Sequence, residues 1–306
     1  SMDVVAVKFN DPFYQSKRQL LFIILGSLSL MVCLLTPVQV WQKQSPYLLL
    51  LALVLLVAVL VPGLGRSVNG STRWIPIGSL SLQPSEFAKI AVVAFMAGYL
   101  VRQQHEIRNH FSGFSKSLVV LGAFIVLLLL EPDFGAVVVM MCAVLGMFFL
   151  GGMRKRHISI VLVAAAALGA ITIFAAEYRV KRLMTYLDPW GDPFGSGYQL
   201  TQAQIAFGRG GWFGEGLGQS MQKLFYLPEA HTDFVYSVLA EEWGAFGALI
   251  VVALYGVLIV RGLHVGQKAE RLGRHFSAYL AYGLVLLITA QAMINIGVNL
   301  GLLPTK

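Results

Sequence analysis

The sequence predicts an all-α, polytopic membrane protein, with the spanning helices forming one bundle and one domain over residues 1–306. Hydrophobic residues make up 57% of the chain and charged residues only 12%, and the mean hydropathy is +0.72. In the bilayer core, where there is no water, helices allow the backbone N–H and C=O groups of so many residues to form hydrogen bonds. The two cysteines, Cys33 and Cys142, lie in apolar runs and are predicted to be small buried hydrophobic residues. A spanning helix needs about 20 largely apolar residues, and eight stretches are candidates: roughly 18–36, 46–62, 86–101, 117–131, 134–152, 157–176, 234–260 and 277–303.

The distribution of Lys and Arg predicts the orientation of these helices. The basic connections are 102–116, 153–157 and 261–275, and cytoplasmic loops carry the excess of such residues. They alternate correctly if residue 1 lies outside, which places the long 177–233 segment outside as well. A helix missing ahead of residue 1 is the simple explanation, since the first residues do not form a signal peptide.

The first external segment, residues 63–85, is rich in Gly and Pro and is predicted to form tight turns. Pro84 suits the first turn of the helix that follows. Arg73, next to Trp74, has the forked donor geometry that binds phosphate. An Arg/Trp anchor at the membrane interface is the other interpretation.

Glu86 and Lys89 open the next helix three residues apart, on one face, where they can pair. Ionisable groups entering a bilayer usually face a partner or a wet cavity. The pair therefore indicates either a polar pocket beneath the external segment or a helix-end ion pair whose lysine snorkels to the interface.

Glu131 and Asp133 flank Pro132 in the turn between two apolar helices. Two carboxylates this close are compatible with acid/base chemistry or metal ligation. A solvated turn in which Asp133 caps the next helix is the favoured alternative.

Residues 177–233 form the one long break between apolar helices, and breaks of that length are usually functional. Its balanced charges include Arg209 among the cations. Six glycines between Gly208 and Gly218 suggest a phosphate cradle, but no strand precedes them and no Lys-Ser or Lys-Thr follows. They are interpreted as turns between short interfacial helices near 198–207 and 220–226.

The loop ends in PEAHTDF, where Glu229, His231 and Asp233 precede a helix. Asp is favoured at a helix N-cap, and a carboxylate there is also placed to take a proton from a substrate hydroxyl. Further along, Glu241 and Glu242 are expected to be satisfied by hydrogen bonds within the core. The polar stripe Gln291, Asn295 and Asn299 is expected to serve helix packing.

Five motifs follow one another along nearly the whole chain: RWIPIGSLSLQPSEFAK, EPDFG, DPWGDPFGSGYQLTQAQIAFGRGGWFGEGLG, YLPEAHTDFVYSVLAEEWG and NIGVNLGLLPTK. Together and in this order they resemble the SEDS family (shape, elongation, division, sporulation) of bacterial peptidoglycan glycosyltransferases. The amino-acid sequence of the third motif is more similar to that of the family's division member than to that of its elongation member. The resemblance implies a family fold of ten helices with a large extracytoplasmic loop. This chain would hold about eight of these helices and lack the first and the last.

The resemblance also implies a reaction and the residues that carry it. Lipid II units would be joined into glycan strands on the outer face of the bacterial cytoplasmic (inner) membrane, at the division septum. Asp233 falls on the family's essential acidic position and would act as general base. Arg73, Glu86, Lys89, Arg209 and His231 are the candidate substrate-binding residues.

The same resemblance sets expectations for cofactors and partners. A divalent cation, Mg or Mn, would help to bind pyrophosphate, whereas no organic cofactor and no nucleic acid is expected. The expected partners are lipid II, a class B penicillin-binding protein of the division-transpeptidase (FtsI) type, other membrane proteins of the division apparatus and membrane lipids. A lipid II flippase and a non-catalytic division scaffold remain as alternatives.

Overall fold

The computed structural model describes residues 13–68, 71–78, 80–174, 180 and 184–304, and helices dominate it. Residues 175–179 and 181–183 lie outside the described residues, and with them Glu177, Arg179, Lys181 and Arg182 of the long 177–233 segment. The helices are α1 (Tyr14–Leu35), α2 (Val38–Leu60), α3 (Pro84–Arg102), α4 (Gln104–Asn109), α5 (Ser112–Leu130), α6 (Phe134–Leu150), α7 (Lys155–Phe174), α8 (Tyr198–Gly210), α9 (Val235–Arg271) and α10 (His275–Asn299).

Six of the described helices are long and apolar enough to cross a membrane: α1, α2, α3, α5, α9 and α10. Helix α6 is apolar but has only 17 residues. The chain is therefore a multi-pass membrane protein with a helical bundle, as the composition predicts, while the count of eight spans stays a prediction.

The chain divides into two compact units. The first unit contains the described residues up to Pro37, the segment Gly169–Gly256 and the residues from Ala292 onward. The second unit contains Val38–Leu168 and Val257–Gln291. Helices α7, α9 and α10 contribute residues to both.

The segment predicted to be only turns contains a small antiparallel sheet in the second unit. Strand β1 (Arg66–Val68) pairs with β2 (Ser71–Ile77), which pairs with β3 (Leu80–Leu82). The glycines and prolines mark the ends of these strands, while the alternation of Ile, Leu and Trp with polar residues supplies the pairing pattern. Pro84 begins α3, as predicted.

Helix α3 forms the buried centre of the second unit. Its small and apolar side chains are enclosed, with Ala88, Val92, Met96 and Ala97 fully buried. Alanines let neighbouring helices approach closely in a bundle. Lys89 is therefore carried into the protein interior by the helix that contains it.

Both cysteines differ from the prediction, because Cys33 and Cys142 are exposed on their helices. In a soluble protein an apolar run points to burial, but a spanning helix also turns apolar residues toward lipid. Helix α1 shows this most clearly, since nearly all of its side chains are exposed although the helix is strongly apolar.

Candidate active site

The PEAHTDF turn, residues 228–234, places Asp233 just before α9 in the first unit. Glu229 adopts a φ of 55°, which is uncommon for a residue other than glycine. Its carbonyl accepts hydrogen bonds from the N–H groups of Thr232 (3.0 Å) and Phe234 (3.3 Å), and its carboxylate accepts one from the Thr232 hydroxyl (2.7 Å). Such conformations persist only where their surroundings hold them, so the turn is tightly constrained.

Two asparagines of α10 hold the backbone of Asp233. The side-chain amides of Asn299 and Asn295 donate to the Asp233 carbonyl over 2.8 and 3.3 Å. The Asn299 side-chain oxygen accepts from the N–H (3.0 Å) and hydroxyl (2.8 Å) of Ser237 in the first turns of α9. Asn299 is fully buried, and a buried polar group satisfied on both sides fixes the geometry around it.

The carboxylate of Asp233 is used differently from its carbonyl. The residue is partly exposed, and no described residue donates a hydrogen bond to the carboxylate or pairs with it. The N-cap role that is common for Asp is therefore not seen among the described hydrogen bonds. Beneath the turn, Phe234 and Leu227 pack with Ala203 of α8 and Val298 of α10 in an apolar cluster.

His231 lies beside a groove of about 530 Å³, whose other lining residues are Ser16, Gln19, Leu20 and Ile23 of α1. The histidine is exposed. The groove therefore combines the polar side chains of His231, Ser16 and Gln19 with the apolar side chains of Leu20 and Ile23.

The acidic residues of α9 are satisfied, as predicted. Glu241 is fully buried and accepts from the Ser220 hydroxyl (2.5 Å) and from the N–H groups of Met221 and Gln222 (both 3.2 Å). Glu242 pairs with Lys223 at 2.5 Å. Arg209 lies 3.7 Å from Glu241 and keeps 40% of its side chain exposed, so its guanidinium can still reach a ligand.

The glycine-rich segment 208–218, here called the glycine loop, packs against a break in α9. Gly244 interrupts that helix with φ 70° and ψ −171°. A side chain at Gly244 would drive its Cβ into the Trp212 carbonyl, and one at Gly214 would drive it into the Glu242 carbonyl. The predicted helices on either side are confirmed as α8 and a π-helical turn, Gln222–Tyr226, but the contact with α9 was missed.

In the second unit, Arg73 holds the turn made by Glu131, Pro132 and Asp133. Its guanidinium donates to the Glu131 carbonyl (3.1 Å) and to the Pro132 carbonyl, and lies 4.0 Å from the Asp133 carboxylate. Asp133 caps α6 by accepting from the N–H of Ala136 at 3.2 Å, as predicted. The turn is buried, so the prediction that it is solvated was wrong. That prediction did not include the sheet that carries Arg73.

Glu131 has an unusual setting in this turn. It is fully buried, and neither of its carboxylate oxygens has a hydrogen-bond partner among the described residues. Burial, with a smaller contribution from the nearby Asp133 charge, raises the pKa of Glu131 to about 8, although Arg73 opposes this. Glu131 is consequently protonated near neutral pH.

Glu86 and Lys89 form the predicted ion pair, at 2.9 Å. Lys89 is buried and does not reach outward along the helix, whereas about half of the Glu86 side chain is exposed. The Lys89 ammonium lies 2.9 Å from each Glu86 carboxylate oxygen, and the amide of Gln291 donates to one of them, Oε2, at 3.4 Å. The pair is thus a polar site whose exposed component is the carboxylate.

The candidate residues fall into two sets. The first unit holds Arg209, His231 and Asp233, and the second holds Arg73, Glu86 and Lys89. Sequence reasoning missed the role of Asn299, which it assigned to packing, although the four-residue spacing of Asn295 and Asn299 marked that face of α10. Within the described part of the chain, no three His, Cys, Asp or Glu side chains are grouped so as to hold a metal ion.

The chain is therefore a multi-pass membrane protein whose candidate catalytic residue lies in a turn at the start of a spanning helix. The family model for the cell cycle proteins FtsW, RodA and SpoVE matches residues 1–306, and the chain belongs to that family. The resemblance found in the motifs is confirmed.

Close relatives share the whole length of this chain. A protein of Pseudomonas fluorescens, named as a probable peptidoglycan glycosyltransferase FtsW, is 51% identical over 306 residues, covering 100% of this chain and 75% of its own length. One of the same name from Hahella chejuensis is 53% identical over 306 residues, covering 100% of this chain and 77% of its own.

Solved structures share the fold. A chain from a peptidoglycan synthase complex, described as coordinating polymerization and crosslinking, superposes with a TM-score of 0.76 at 27% identity, over 94% of this chain and 80% of that one. A variant of the rod shape determining protein RodA from Thermus thermophilus superposes with a TM-score of 0.68 over 100% of this chain and 82% of that one. At 24% identity the latter supports the fold alone.

Proposed function

We propose that this chain joins lipid II units into glycan strands and that Asp233 is the general base of the reaction. Relatives that are 51% and 53% identical over the whole chain are named peptidoglycan glycosyltransferases, and the chain is an enzyme of that kind. The role of Asp233 rests on the geometry of the PEAHTDF turn.

The proposed reaction forms one glycosidic bond. The 4-hydroxyl oxygen of the acceptor sugar attacks the anomeric carbon of the donor sugar and forms a C–O bond. The bond from that carbon to the lipid pyrophosphate breaks, and its electron pair leaves with the phosphate. The hydroxyl proton passes to the Asp233 carboxylate, so charge does not build up on the attacking oxygen.

The single observation that carries this assignment is the contrast between the two ends of Asp233. Its carbonyl is fixed by Asn295 and Asn299, while the residue is partly exposed and its carboxylate receives no hydrogen bond from a described residue. A base must be held in place and yet have lone pairs available to a substrate hydroxyl. Asp233 meets both requirements.

Arg209 and His231 are the proposed contacts for the donor or its leaving group. Both are exposed in the same unit as Asp233, and an Arg guanidinium binds phosphate oxygens through paired donors. Leu20 and Ile23, which line the groove beside His231, are suited to contact the first part of a polyprenyl chain. Arg73 and Lys89 are already engaged by the protein, so the proposed role of Arg73 is to hold the Glu131–Asp133 turn and that of Lys89 is to hold the Glu86 carboxylate.

A divalent cation, Mg or Mn, remains part of the proposal, although the described residues do not form a ligand set for it. Magnesium is usually bound through substrate phosphates and one or two carboxylates, with waters completing its shell. When bound it would supply positive charge to the leaving pyrophosphate. None of the steps assigned to Asp233 depends on it.

We propose that the PEAHTDF turn faces the outer side of the cytoplasmic membrane at the division septum. The charge distribution of the connecting segments supports this orientation. A transpeptidase of the class B penicillin-binding protein type is the proposed partner, alongside other membrane proteins of the division apparatus, because a related chain occurs in a peptidoglycan synthase complex.

The test is polymer formation from purified lipid II by the protein in liposomes with its transpeptidase partner. Wild-type protein is expected to produce glycan chains, and Asp233→Asn is expected to bind lipid II without joining it. Fluorescent lipid II in the same vesicles reports transfer between leaflets.

The outcomes separate the alternatives. Leaflet transfer without polymer by the wild-type protein would establish a flippase, and binding without polymer or transfer would establish a scaffold. Wild-type polymer yield from Asp233→Asn, at equal thermal stability, would remove Asp233 from the mechanism.

A further inference from the structure

We propose that the glycine loop is a membrane-anchoring surface, which inserts Trp212 and Phe213 into the lipid interface beside α9. The loop binds bilayer lipids at the level where the headgroups meet the acyl chains. It is separate from the proposed base, and it does not depend on the chemistry assigned to Asp233.

The backbone of the glycine loop is suited to lipid because it exchanges hydrogen bonds with the break in α9. A broken helix leaves carbonyl and N–H groups without partners, and these are costly away from water. Here the loop supplies partners in both directions: Glu215 N–H to Glu241 O (3.0 Å), Gly216 N–H to Glu242 O (3.1 Å), Ala245 N–H to Gly211 O (2.8 Å) and Phe246 N–H to Trp212 O (3.2 Å).

The side chains at the tip of the loop are large, apolar and open. Trp212 is 73% exposed and Phe213 is 87% exposed. The loop backbone lies against the break in α9, where Trp243 and Phe246 are also exposed, and the exposure continues along that helix at Leu249. Because α9 is a candidate span, this apolar surface runs from the loop onto a helix face that meets lipid.

Contiguous exposed apolar surface marks an interaction site rather than ordinary surface variation. Trp is enriched where a membrane meets water, since its ring is apolar and its N–H is polar. Continuity with a spanning helix favours lipid over a protein partner as the occupant.

Charges limit how far the loop can enter. The five residues Gly210–Gly214 carry no charge, whereas Arg209 precedes them and the exposed Glu215 follows. Ionised side chains are expensive within the hydrocarbon core. The aromatic tip is thus bracketed at the depth of the interface.

Trp190 provides a matched contrast in the same unit. It is also exposed, but its indole N–H donates to the Gln204 side chain at 2.9 Å, in a 3₁₀ turn that is closed by the Asp188 side chain. Asp188 itself is exposed. The indole of Trp190 is therefore held by an acceptor of the protein, two residues from the exposed Asp188.

The experiment uses the complete protein in nanodiscs whose lipids carry bromine near the top of the acyl chain. Bromine quenches tryptophan emission on contact. We expect Trp212→Phe to remove a substantial part of the lipid-quenched emission and Trp190→Phe to leave that part intact. Acrylamide, an aqueous quencher, should show the opposite preference.

A second variant guards against loss of folding in the first. Phe213→Trp adds a reporter at the tip, and its extra emission should be quenched by brominated lipid. The proposal is overturned if Trp212→Phe leaves lipid quenching unchanged, or if the emission added by Phe213→Trp responds only to acrylamide. Shielding of Trp212 from acrylamide only after the transpeptidase is added would assign the surface to a protein partner and would also overturn it.

Discussion

Two aspartates occupy the same local position and are used in opposite ways. Asp133 precedes α6, and its carboxylate accepts from the Ala136 N–H and from the Ser85 hydroxyl (3.0 Å). Asp233 precedes α9, and there the carbonyl is the bonded group. Asp133 is buried, whereas Asp233 is partly exposed.

The difference shows how a helix start can serve structure or chemistry. A carboxylate consumed by internal hydrogen bonds stabilises the fold but has no capacity left for a substrate. A residue gripped through its backbone can keep its side chain available in a fixed position. The second arrangement needs other groups to provide the rigidity, and at Asp233 these are the constrained Glu229 turn and Asn299.

Asn299→Ala is expected to have a large effect on the Asp233 side of this comparison. The change removes the strong donor to the Asp233 carbonyl and leaves Ser237 without its acceptor. A small misplacement of a reacting group can cost about 100-fold in rate, and we expect kcat for lipid II polymerisation to fall by about that factor while KM is retained.

Asn295→Ala serves as the milder control for this substitution, because Asn295 contributes one longer bond. It should lower kcat less. Loss of activity in Asn299→Ala that only follows the unfolded fraction, measured by thermal scanning, would show that Asn299 is structural rather than a positioning residue.

Gly244→Ala is expected to destabilise the first unit by about 1–3 kcal/mol, the usual cost of a strained backbone conformation. The positive φ disfavours alanine, and the new Cβ would meet the Trp212 backbone. Gly256→Ala in the same helix meets nothing within 4 Å and should be neutral or slightly stabilising. Equal melting temperatures for the two variants would contradict the described loop contact.

Asp133→Ala is expected to lower the free energy of unfolding by about 1–2 kcal/mol, since it removes a helix cap and a buried acceptor. Turnover of lipid II per folded molecule should be unchanged. A large fall in kcat with normal stability would place Asp133 in the chemistry and end the contrast with Asp233.

Glu131→Gln should give a pH-dependent effect, a rise in melting temperature relative to wild type that grows with pH. The raised pKa means that the folded protein holds a proton up to about pH 8, whereas the unfolded chain releases it near its ordinary value of 4.5. Unfolding therefore releases a proton between these values, and the wild type loses stability as pH rises through them. Differential scanning at pH 5 and pH 8 measures this, and an equal difference between wild type and Glu131→Gln at both pH values would contradict it.

Sequence reasoning reached the helical class, the Glu86–Lys89 pair and the Asp133 cap, because each depends on local spacing. It missed the β1–β3 sheet, whose short strands lie among glycines and prolines. It also missed the links from Asn299 to Asp233 and from the glycine loop to the break in α9. The first contact joins residues 66 positions apart in the sequence, and the second joins residues about 30 positions apart. Sequence periodicity predicts only local structure and does not predict contacts over such separations.

The most direct test of the central claim compares Asp233→Asn with Asp133→Asn in lipid II polymerisation, expressed per folded molecule. General base catalysis typically contributes about 100- to 10,000-fold. We predict a loss of that order for Asp233→Asn with an unchanged melting temperature, and for Asp133→Asn a lower melting temperature with turnover retained. Wild-type turnover by Asp233→Asn would contradict the account.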